Sequence, residues 1–213
     1  LGLSKTSFLV GMFNLVVVGI NLRVFGRALP QARAIIVATL GAAALLVAGF
    51  IHGASITTLI EHKMYQDQII YTEQSRYQRI VVTRYQDDVR LYLDSELQFS
   101  TRDEYRYHES LVHPAMTLAP SREHVLVIGG GDGLVMREVW KYPDVQHATL
   151  VDIDPAMTRL GQTFGPFVEF NHNSLNDPRI RIVNADGYKF LEEGSDLYQV
   201  IIADLPDPRN EGL

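Results

Sequence analysis

The chain has 213 residues, of which 46% are hydrophobic and 21% are charged, and its mean hydropathy is +0.01. This composition excludes a disordered or low-complexity chain. Because cysteine is absent, a disulfide framework, a thiol nucleophile and a cysteine-ligated metal site are also excluded. The formal net charge of −6 argues against a general nucleic-acid binder.

The charge is divided unevenly along the chain. Residues 1–60 contain no Asp or Glu and four basic side chains, whereas residues 61–213 contain 15 basic and 25 acidic side chains. A cationic, apolar head before an acidic body is typical of a membrane segment joined to a soluble domain.

Two uncharged stretches lie within this head. Residues 34–53 read AIIVATLGAAALLVAGFIHG, and about 20 apolar residues suffice to cross a hydrocarbon core. The earlier stretch has 17 residues, includes Asn14 and Asn21, and lies at the lower length limit for a span. We predict that residues 1–60 form a membrane segment with helices over about 6–22 and 34–56, the alternative being a buried hairpin of a soluble protein.

Residues 61–118 predict a small β-rich subdomain followed by a connecting helix. Alternating apolar and polar residues indicate strands over 79–83 and 89–93, with a polar hairpin connection between them and a further short strand over 97–99. Residues 104–118 predict a helix that ends before Pro120.

Residues 119–213 predict an α/β domain in which buried strands alternate with helices. The strands are expected over 125–128, 148–151, 179–183 and 200–203, and the helices over 134–141, 155–164 and 188–192. This alternation indicates a parallel, doubly wound, Rossmann-like sheet, whose ligand site lies at the carboxyl ends of the strands.

The polar groups expected at that edge indicate a nucleoside site. A glycine run, GGGDG at 129–133, lies between a strand and a helix and lets a nucleotide approach the backbone closely. Gly129 and Gly131 are the glycines expected to contact it. Asp152 ends the next strand, where a carboxylate can accept both ribose hydroxyls, and Asp186-Gly187 ends the third, where the pair can bracket an adenine amino group. The alternative for the glycine run alone is a tight structural turn.

Three further acidic residues favour a cationic ligand. Asp132 lies inside the glycine run, where a pyrophosphate would disfavour it, so a sulfonium cofactor of the S-adenosylmethionine type is preferred over NAD. Asp204 and Asp207 follow the fourth strand and can bind a cationic amine and accept its proton. Taken alone, this pair is equally typical of an acidic turn, and His108, beside Tyr107, is typical of an exposed helix position.

Together these segments closely resemble the spermidine synthase (polyamine aminopropyltransferase) family. The resemblance covers about residues 70–208 and depends on QFSTRDEYRYHE at 98–109, IGGGDGLVMREV at 128–139, VDID at 151–154 and YQVIIADLPDP at 198–208. The apolar head further resembles a bacterial branch that joins a multi-helix membrane domain to the catalytic unit. The resemblance implies an S-adenosylmethionine-methyltransferase-like sheet. It also implies transfer of an aminopropyl group from decarboxylated S-adenosylmethionine to a putrescine-like amine, with release of methylthioadenosine.

The resemblance also assigns roles residue by residue. It implies that Asp207 is the catalytic proton acceptor. The residues implied to bind the nucleoside co-substrate are Gln78, Gly129, Gly131, Asp132, Asp152, Asp186 and Gly187. The residues implied to bind the amine are Tyr107, His108, Asp132, Asp204 and Asp207. No metal ligand and no tightly bound cofactor are expected, and the default partners are a small polyamine, membrane lipid and a second copy of the chain.

Three positions depart from the family pattern. Pro206 stands where a Ser or Thr usually precedes the second aspartate, Asp152 stands in place of Glu, and Gln199 replaces the Asp of Tyr-Asp-Val. Each departure bears on the choice of acceptor and on activity. Because a sheet of this class should have further strands after Pro208, we expect the sequence to be a C-terminally truncated fragment.

Topology and function each leave alternatives. Arg23, Arg27 and Arg33 lie between the two apolar stretches, which by the positive-inside tendency places that connection in the cytoplasm and the body on the far side. The expected substrate is a cytosolic metabolite, so we expect a multi-pass protein of the cell membrane whose catalytic domain faces the cytoplasm. The alternatives to a transferase of aminopropyl groups are an S-adenosylmethionine-dependent methyltransferase and a non-catalytic membrane sensor of polyamines or nucleosides.

Overall fold

The computed structural model describes residues 3–26, 31–65 and 67–205. The chain divides into two compact units, residues 1–66 and residues 67–213, and each is described by itself. The catalytic chemistry predicted above falls entirely within the second unit.

The first unit contains two helices, α1 (Leu3–Phe25) and α2 (Ala32–Met64), which pack against each other. Gly11 permits close approach, since a Cβ atom there would lie 2.9 Å from Leu46 Cδ2. Two stretches, 6–25 and 32–53, are long and apolar enough to cross a membrane, and apolar side chains such as Val37 and Leu45 are exposed. Both helices extend beyond the predicted bounds of 6–22 and 34–56.

The second unit begins with a four-stranded antiparallel sheet in which each strand pairs with the next along the chain. Its strands are β1 (Gln68–Gln74), β2 (Arg79–Tyr85), β3 (Asp88–Leu93) and β4 (Glu96–Ser100). The three predicted strands correspond to β2, β3 and β4. The strand β1 was not predicted, because QIIYTEQ mixes apolar and polar residues without strict alternation.

Helix α3 (Glu104–Leu118) connects this sheet to the α/β part and has the predicted bounds, although Pro114 lies inside it. The buried side chains of α3 recur every four residues and form one face of the helix: Glu104, His108, Val112 and Met116. His108 is therefore buried, and its interpretation as an exposed helix residue was wrong.

The α/β part contains a parallel sheet with the order β7-β6-β5-β8. Its strands are β5 (His124–Gly129), β6 (His147–Asp152), β7 (Ile180–Asn184) and β8 (Val200–Asp204). Its helices are α4 (Leu134–Val139), α5 (Pro155–Thr163), α6 (Gly165–Phe170) and α7 (Gly187–Glu193), and α6 was not predicted. The chain runs outward from β5 to β7 and then crosses back to β8, so the switch point of this α/β sheet lies at the carboxyl ends of β5 and β8.

Two hydrophobic cores hold this unit together. One lies between the parallel sheet, α3 and α4, and includes Val125, Met136 and Leu150. The other joins the antiparallel sheet to the α/β part, because Ile80 and Leu91 pack in the same cluster as Leu160. The second core fixes the antiparallel sheet beside the turn that leads from β6 into α5.

Candidate active site

The glycine run forms a tight turn at the end of β5. Gly129, Gly130 and Gly133 have φ angles of 84°, 71° and 88°, a region that side chains other than glycine rarely adopt. The Gly133 N–H donates to Gly130 O at 3.0 Å and closes the turn. A Cβ atom at Gly131 would lie 2.5 Å from Asp152 Oδ2, so the backbone passes directly against the end of β6. The structure therefore requires glycine at this turn for its own geometry.

Asp152 is held rigidly at the end of β6. Its Oδ2 accepts from the Gly131 N–H at 2.9 Å and its Oδ1 accepts from the Asp154 N–H at 2.7 Å. Burial raises the pKa of Asp152, and those two N–H donors oppose the rise. Each carboxylate oxygen has a second lone pair, so the side chain can still accept ribose hydroxyls while it braces the turn.

Three carboxylates converge at the carboxyl ends of β5, β6 and β8. Burial raises the pKa of Asp132 to about 6, the His108 ring opposes this rise, and the charges of Asp204 and Asp152 add to it. The Tyr107 hydroxyl donates to Asp204 Oδ1 at 2.8 Å. We call Asp132, Asp152 and Asp204 the acidic cluster. It concentrates negative charge where a cationic ligand would relieve the mutual repulsion.

His108 lies beside this cluster. Its side chain is 4% exposed, and its ring stacks edge-on against Tyr107 with centroids 5.1 Å apart. Burial lowers the pKa of His108, but the hydrogen bond to Glu104 and the charges of Asp132 and Asp204 outweigh that effect and raise it overall. The structure thus brings together four of the residues predicted to bind the amine: Tyr107, His108, Asp132 and Asp204.

Gln78 is linked through Asp154 to the turn that follows β6. Gln78 Nε2 donates to Asp154 Oδ2 at 3.0 Å, and the Ser75 hydroxyl donates to the same oxygen at 2.6 Å. Asp154 Oδ1 accepts from the Ala156 N–H at 2.9 Å and caps α5. This network ties the antiparallel sheet to the turn between β6 and α5.

Asp186 and Gly187 lie at the same sheet edge but at the end of β7. The Asp186 carboxylate caps α7 by accepting from the Tyr188 N–H at 2.9 Å and the Lys189 N–H at 3.3 Å. A Cβ atom at Gly187 would lie 2.6 Å from Ile128 Cγ2. The Ala185 N–H donates to Asp152 O at 3.2 Å, which joins the end of β7 to the end of β6.

Two of the three residues that depart from the family pattern lie in the described part of the chain. Asp152 ends β6, where it accepts from the Gly131 and Asp154 N–H groups. Gln199 lies at the amino end of β8, where its Oε1 accepts from the His124 N–H at 2.7 Å, at the sheet edge opposite the acidic cluster. Pro206 and the predicted proton acceptor Asp207 lie outside the described residues, which end at 205.

Sequence reasoning missed four residues that support the site: Ser75, Glu104, Arg137 and Asp154. Asp154-Pro155 carries a recognisable helix-start signal, an N-cap acid followed by proline at the first helical position. Glu104 and Arg137 lie in the motif segments, but only the fold shows that they are buried and paired with each other.

The fold and the site define a Rossmann-like α/β domain with an acidic edge at the carboxyl ends of its strands. A family model described as the spermine/spermidine synthase domain matches residues 104–212. The chain belongs to the spermine/spermidine synthase family.

Relatives and solved structures agree with this assignment. The chain is 47% identical over 214 residues to a polyamine aminopropyltransferase of Oceanobacillus iheyensis and 41% identical over 218 residues to one of Leptospira interrogans, and it covers 41% and 43% of them. A spermidine synthase crystallised with the transition state analogue AdoDATO aligns at TM-score 0.62 and 35% identity, over 67% of this chain and 48% of that one. The spermidine synthase of Thermotoga maritima aligns at TM-score 0.60 and 35% identity, over 64% of this chain and 47% of that one. The chain thus spans less than half the length of these relatives.

Proposed function

We propose that this chain is part of a polyamine aminopropyltransferase. The reaction moves the aminopropyl group of decarboxylated S-adenosylmethionine to putrescine or a similar amine, giving a spermidine-type product and methylthioadenosine. The observation that carries the proposal is the acidic cluster beside Tyr107 and His108, at the switch point of a sheet whose first turn is glycine-rich.

The nucleoside half of the site follows from β5 and β6. The Gly129–Gly133 turn gives close backbone access and Asp152 presents carboxylate oxygens for the ribose. Gln78 binds Asp154, two residues after Asp152, and would contact the nucleoside from there. Asp186 and Gly187 would contact the adenine from the end of β7. No tightly bound cofactor is required, because the nucleoside is a co-substrate.

The amine half of the site follows from charge. A diamine carries an ammonium group that does not react, and Asp132 and Asp204 supply the negative charge that binds it. The reacting amine must be neutral, so its proton is removed before or during attack. We assign proton acceptance to Asp207, as the family resemblance implies.

The chemical step is a displacement at carbon. The lone pair of the neutral amine forms the new N–C bond, and the C–S bond breaks with its electron pair going to sulfur, which leaves as a neutral thioether. The Asp207 carboxylate takes one proton from the reacting ammonium group before it attacks, and the product nitrogen keeps its two remaining protons as a secondary ammonium. Since the sulfonium is already a good leaving group, the protein contributes mainly by orienting the amine against the reacting carbon.

A direct assay tests this function. The full-length protein in detergent would be supplied with decarboxylated S-adenosylmethionine and a panel of amines, and methylthioadenosine would be quantified. We expect amine-dependent release that Asp207→Asn abolishes. Asp196→Asn, a control at an exposed acid paired only with Arg181 among the contacts described here, should leave the release unchanged.

The other outcomes separate the alternatives. Methylation of an acceptor with S-adenosylmethionine as the preferred donor would identify a methyltransferase and overturn the proposal. Binding of methylthioadenosine without turnover of any amine would also overturn it and would identify a sensor.

We also propose that α1 and α2 attach the protein to the cell membrane as a multi-pass segment, with the catalytic domain on the cytoplasmic side. The length and the apolar composition of 6–25 and 32–53 support this location. The protein should stay with membranes after an alkaline wash, and its catalytic domain should be cleaved by protease in inverted vesicles but not in right-side-out ones. Release by the wash would refute attachment, and the reverse cleavage pattern would refute the orientation.

Membership of the family makes a homo-oligomer the default expectation. Light scattering on the purified protein in detergent, corrected for the bound detergent, should give a mass of at least two copies. A monomeric mass at the concentration used for the activity assay would contradict it.

A further inference from the structure

A buried ion pair braces the helix that carries His108. Arg137 Nη1 and Nη2 donate to Glu104 Oε1 and Oε2 at 2.9 and 3.0 Å, a two-point contact between α4 and α3. The side chains are 10% and 7% exposed. Arg137 also donates to Phe170 O at 3.1 Å and to Glu138 Oε1 at 2.9 Å, so its guanidinium is fixed from three directions. We call Glu104 and Arg137 the clamp.

The clamp and the Glu104 backbone oxygen together determine which nitrogen of the His108 ring carries the proton. His108 Nδ1 lies 2.8 Å from Glu104 Oε2 and 2.9 Å from the Glu104 backbone oxygen. The backbone oxygen is always an acceptor, and the carboxylate is an acceptor when it is ionised. With Glu104 ionised, Nδ1 must therefore be the donor. Burial raises the pKa of Glu104, but the hydrogen bond to His108 and the contact with Arg137 outweigh burial and lower the pKa overall, which keeps Glu104 ionised. In the neutral ring, Nε2 therefore carries a lone pair.

We propose that Glu104, held by Arg137, is a positioning residue that fixes His108 as the Nδ1–H tautomer, so that Nε2 accepts a hydrogen bond from the polyamine. The inference rests on the proposed function and deepens it. It assigns the family's motif acid at position 104 a role in acceptor binding through His108, without contact between Glu104 and the substrate.

The charges around His108 affect whether its ring is protonated, and therefore whether it can bind an ammonium group. The negative charges of Asp132, on the turn after β5, and of Asp204, at the end of β8, act on the ring. Glu104 contacts the ring from its own helix, and Arg137 on α4 contacts Glu104. A protonated ring would repel an entering ammonium group, whereas a neutral ring with a lone pair on Nε2 would bind it. Amine binding should therefore weaken as the pH falls through the titration of His108.

Glu104→Gln tests the clamp with little change of shape. A Gln amide cannot offer two acceptors to Arg137, and its NH₂ group competes as a donor at Nδ1. We expect the KM for the amine to rise about tenfold, equivalent to about 1.4 kcal/mol of binding free energy. The kcat and the KM for the nucleoside should change little. The acidic limb of kcat/KM for the amine should move to lower pH, because removing the negative charge lowers the pKa of His108.

Glu109→Gln is the matched control. Glu109 follows His108 on α3, its side chain is 46% exposed, and its Oε1 lies 3.7 Å from Lys141 Nζ. Glu109→Gln should leave the kcat, the KM for the amine, the KM for the nucleoside and the pH profile unchanged. If Glu104→Gln behaves like Glu109→Gln, or lowers kcat without moving the pH profile, the inference is overturned.

Two further measurements keep the inference testable whatever the variant does. The double variant of Glu104→Gln with His108→Gln should have the same KM for the amine as His108→Gln alone, since Glu104 acts through His108. Additive losses would overturn the inference.

Nitrogen-15 NMR of histidine-labelled wild-type protein at high pH, assigned by loss of the signal in His108→Gln, should show the proton on Nδ1. A proton on Nε2 would overturn the inference even if Glu104→Gln failed to fold. If the wild-type protein released no methylthioadenosine with any amine, the proposed function would fail. The NMR result would still show which nitrogen of His108 carries the proton.

Discussion

Asp132→Asn should stabilise the protein at neutral pH while it removes a group that binds substrate. Asp132 sits among like charges, and burial raises its pKa to about 6. The substitution removes the charge, and Asn keeps the side-chain oxygen that accepts from the Leu134 N–H at 2.8 Å. The substituted side chain therefore preserves the turn and relieves the repulsion.

The size of the effect follows from the pKa. A rise from 3.8 to about 6 corresponds to ~3 kcal/mol at about 1.4 kcal/mol per pH unit. Because Asp132 keeps some contact with solvent, we expect about 1–3 kcal/mol of added stability at pH 7. The wild-type protein loses this stability as the pH rises from about 4, where the unfolded carboxyl titrates, through about 6, where the folded one does. The difference between variant and wild type should grow across that window and be constant above it.

Thermal unfolding of the full-length protein in detergent measures this difference. Intrinsic fluorescence would be followed at several pH values from about 4 to 8, and Trp140, the one tryptophan of this sequence, packs against the Arg179 guanidinium at 4.2 Å. Asp196→Asn removes an exposed charge and should shift the midpoint little. A lower midpoint for Asp132→Asn at pH 7, or a difference that does not depend on pH, would refute the reasoning about the acidic cluster.

Two further substitutions test the two halves of the site. Gly131→Ala places a methyl group 2.5 Å from Asp152 Oδ2 and should cost about 1–3 kcal/mol of stability, and it should weaken methylthioadenosine binding by calorimetry at least tenfold. Gly165→Ala, where a Cβ atom meets nothing within 4 Å, is its control, and equal binding by both variants would contradict the assigned role of the turn. Tyr107→Phe removes the hydroxyl that donates to Asp204 and should raise the KM for the amine severalfold while methylthioadenosine binding stays unchanged; an unchanged KM would show that this hydroxyl does not orient the carboxylate.

The parallel sheet was predictable because its signals are local. Uninterrupted apolar strands, glycines after the first and acids after the others place Asp132, Asp152 and Asp204 at one edge for any parallel arrangement. The strand β1 and the helix α6 were missed for a related reason. Their stability comes from pairing with β2 and from packing of Phe167 in the second core, and neither contact leaves a periodic pattern in the sequence.

The support of the site was less predictable. A histidine on a polar helix segment is usually exposed, and His108 is buried because α3 packs against α4 and β8. Glu104 and Arg137 are 33 residues apart, and pairing over that separation follows from the fold. The fold was also needed to interpret Gln199. This residue departs from the family pattern in the sequence, but it lies at the sheet edge opposite the site.

Transfer of a labelled aminopropyl group tests the central claim most directly. The full-length protein would receive decarboxylated S-adenosylmethionine carrying deuterium in that group, together with unlabelled putrescine, and products would be identified by mass spectrometry. The account predicts one labelled spermidine-type molecule for each methylthioadenosine released. Methylthioadenosine without labelled polyamine would show that the donor is cleaved and not transferred, and it would contradict the account.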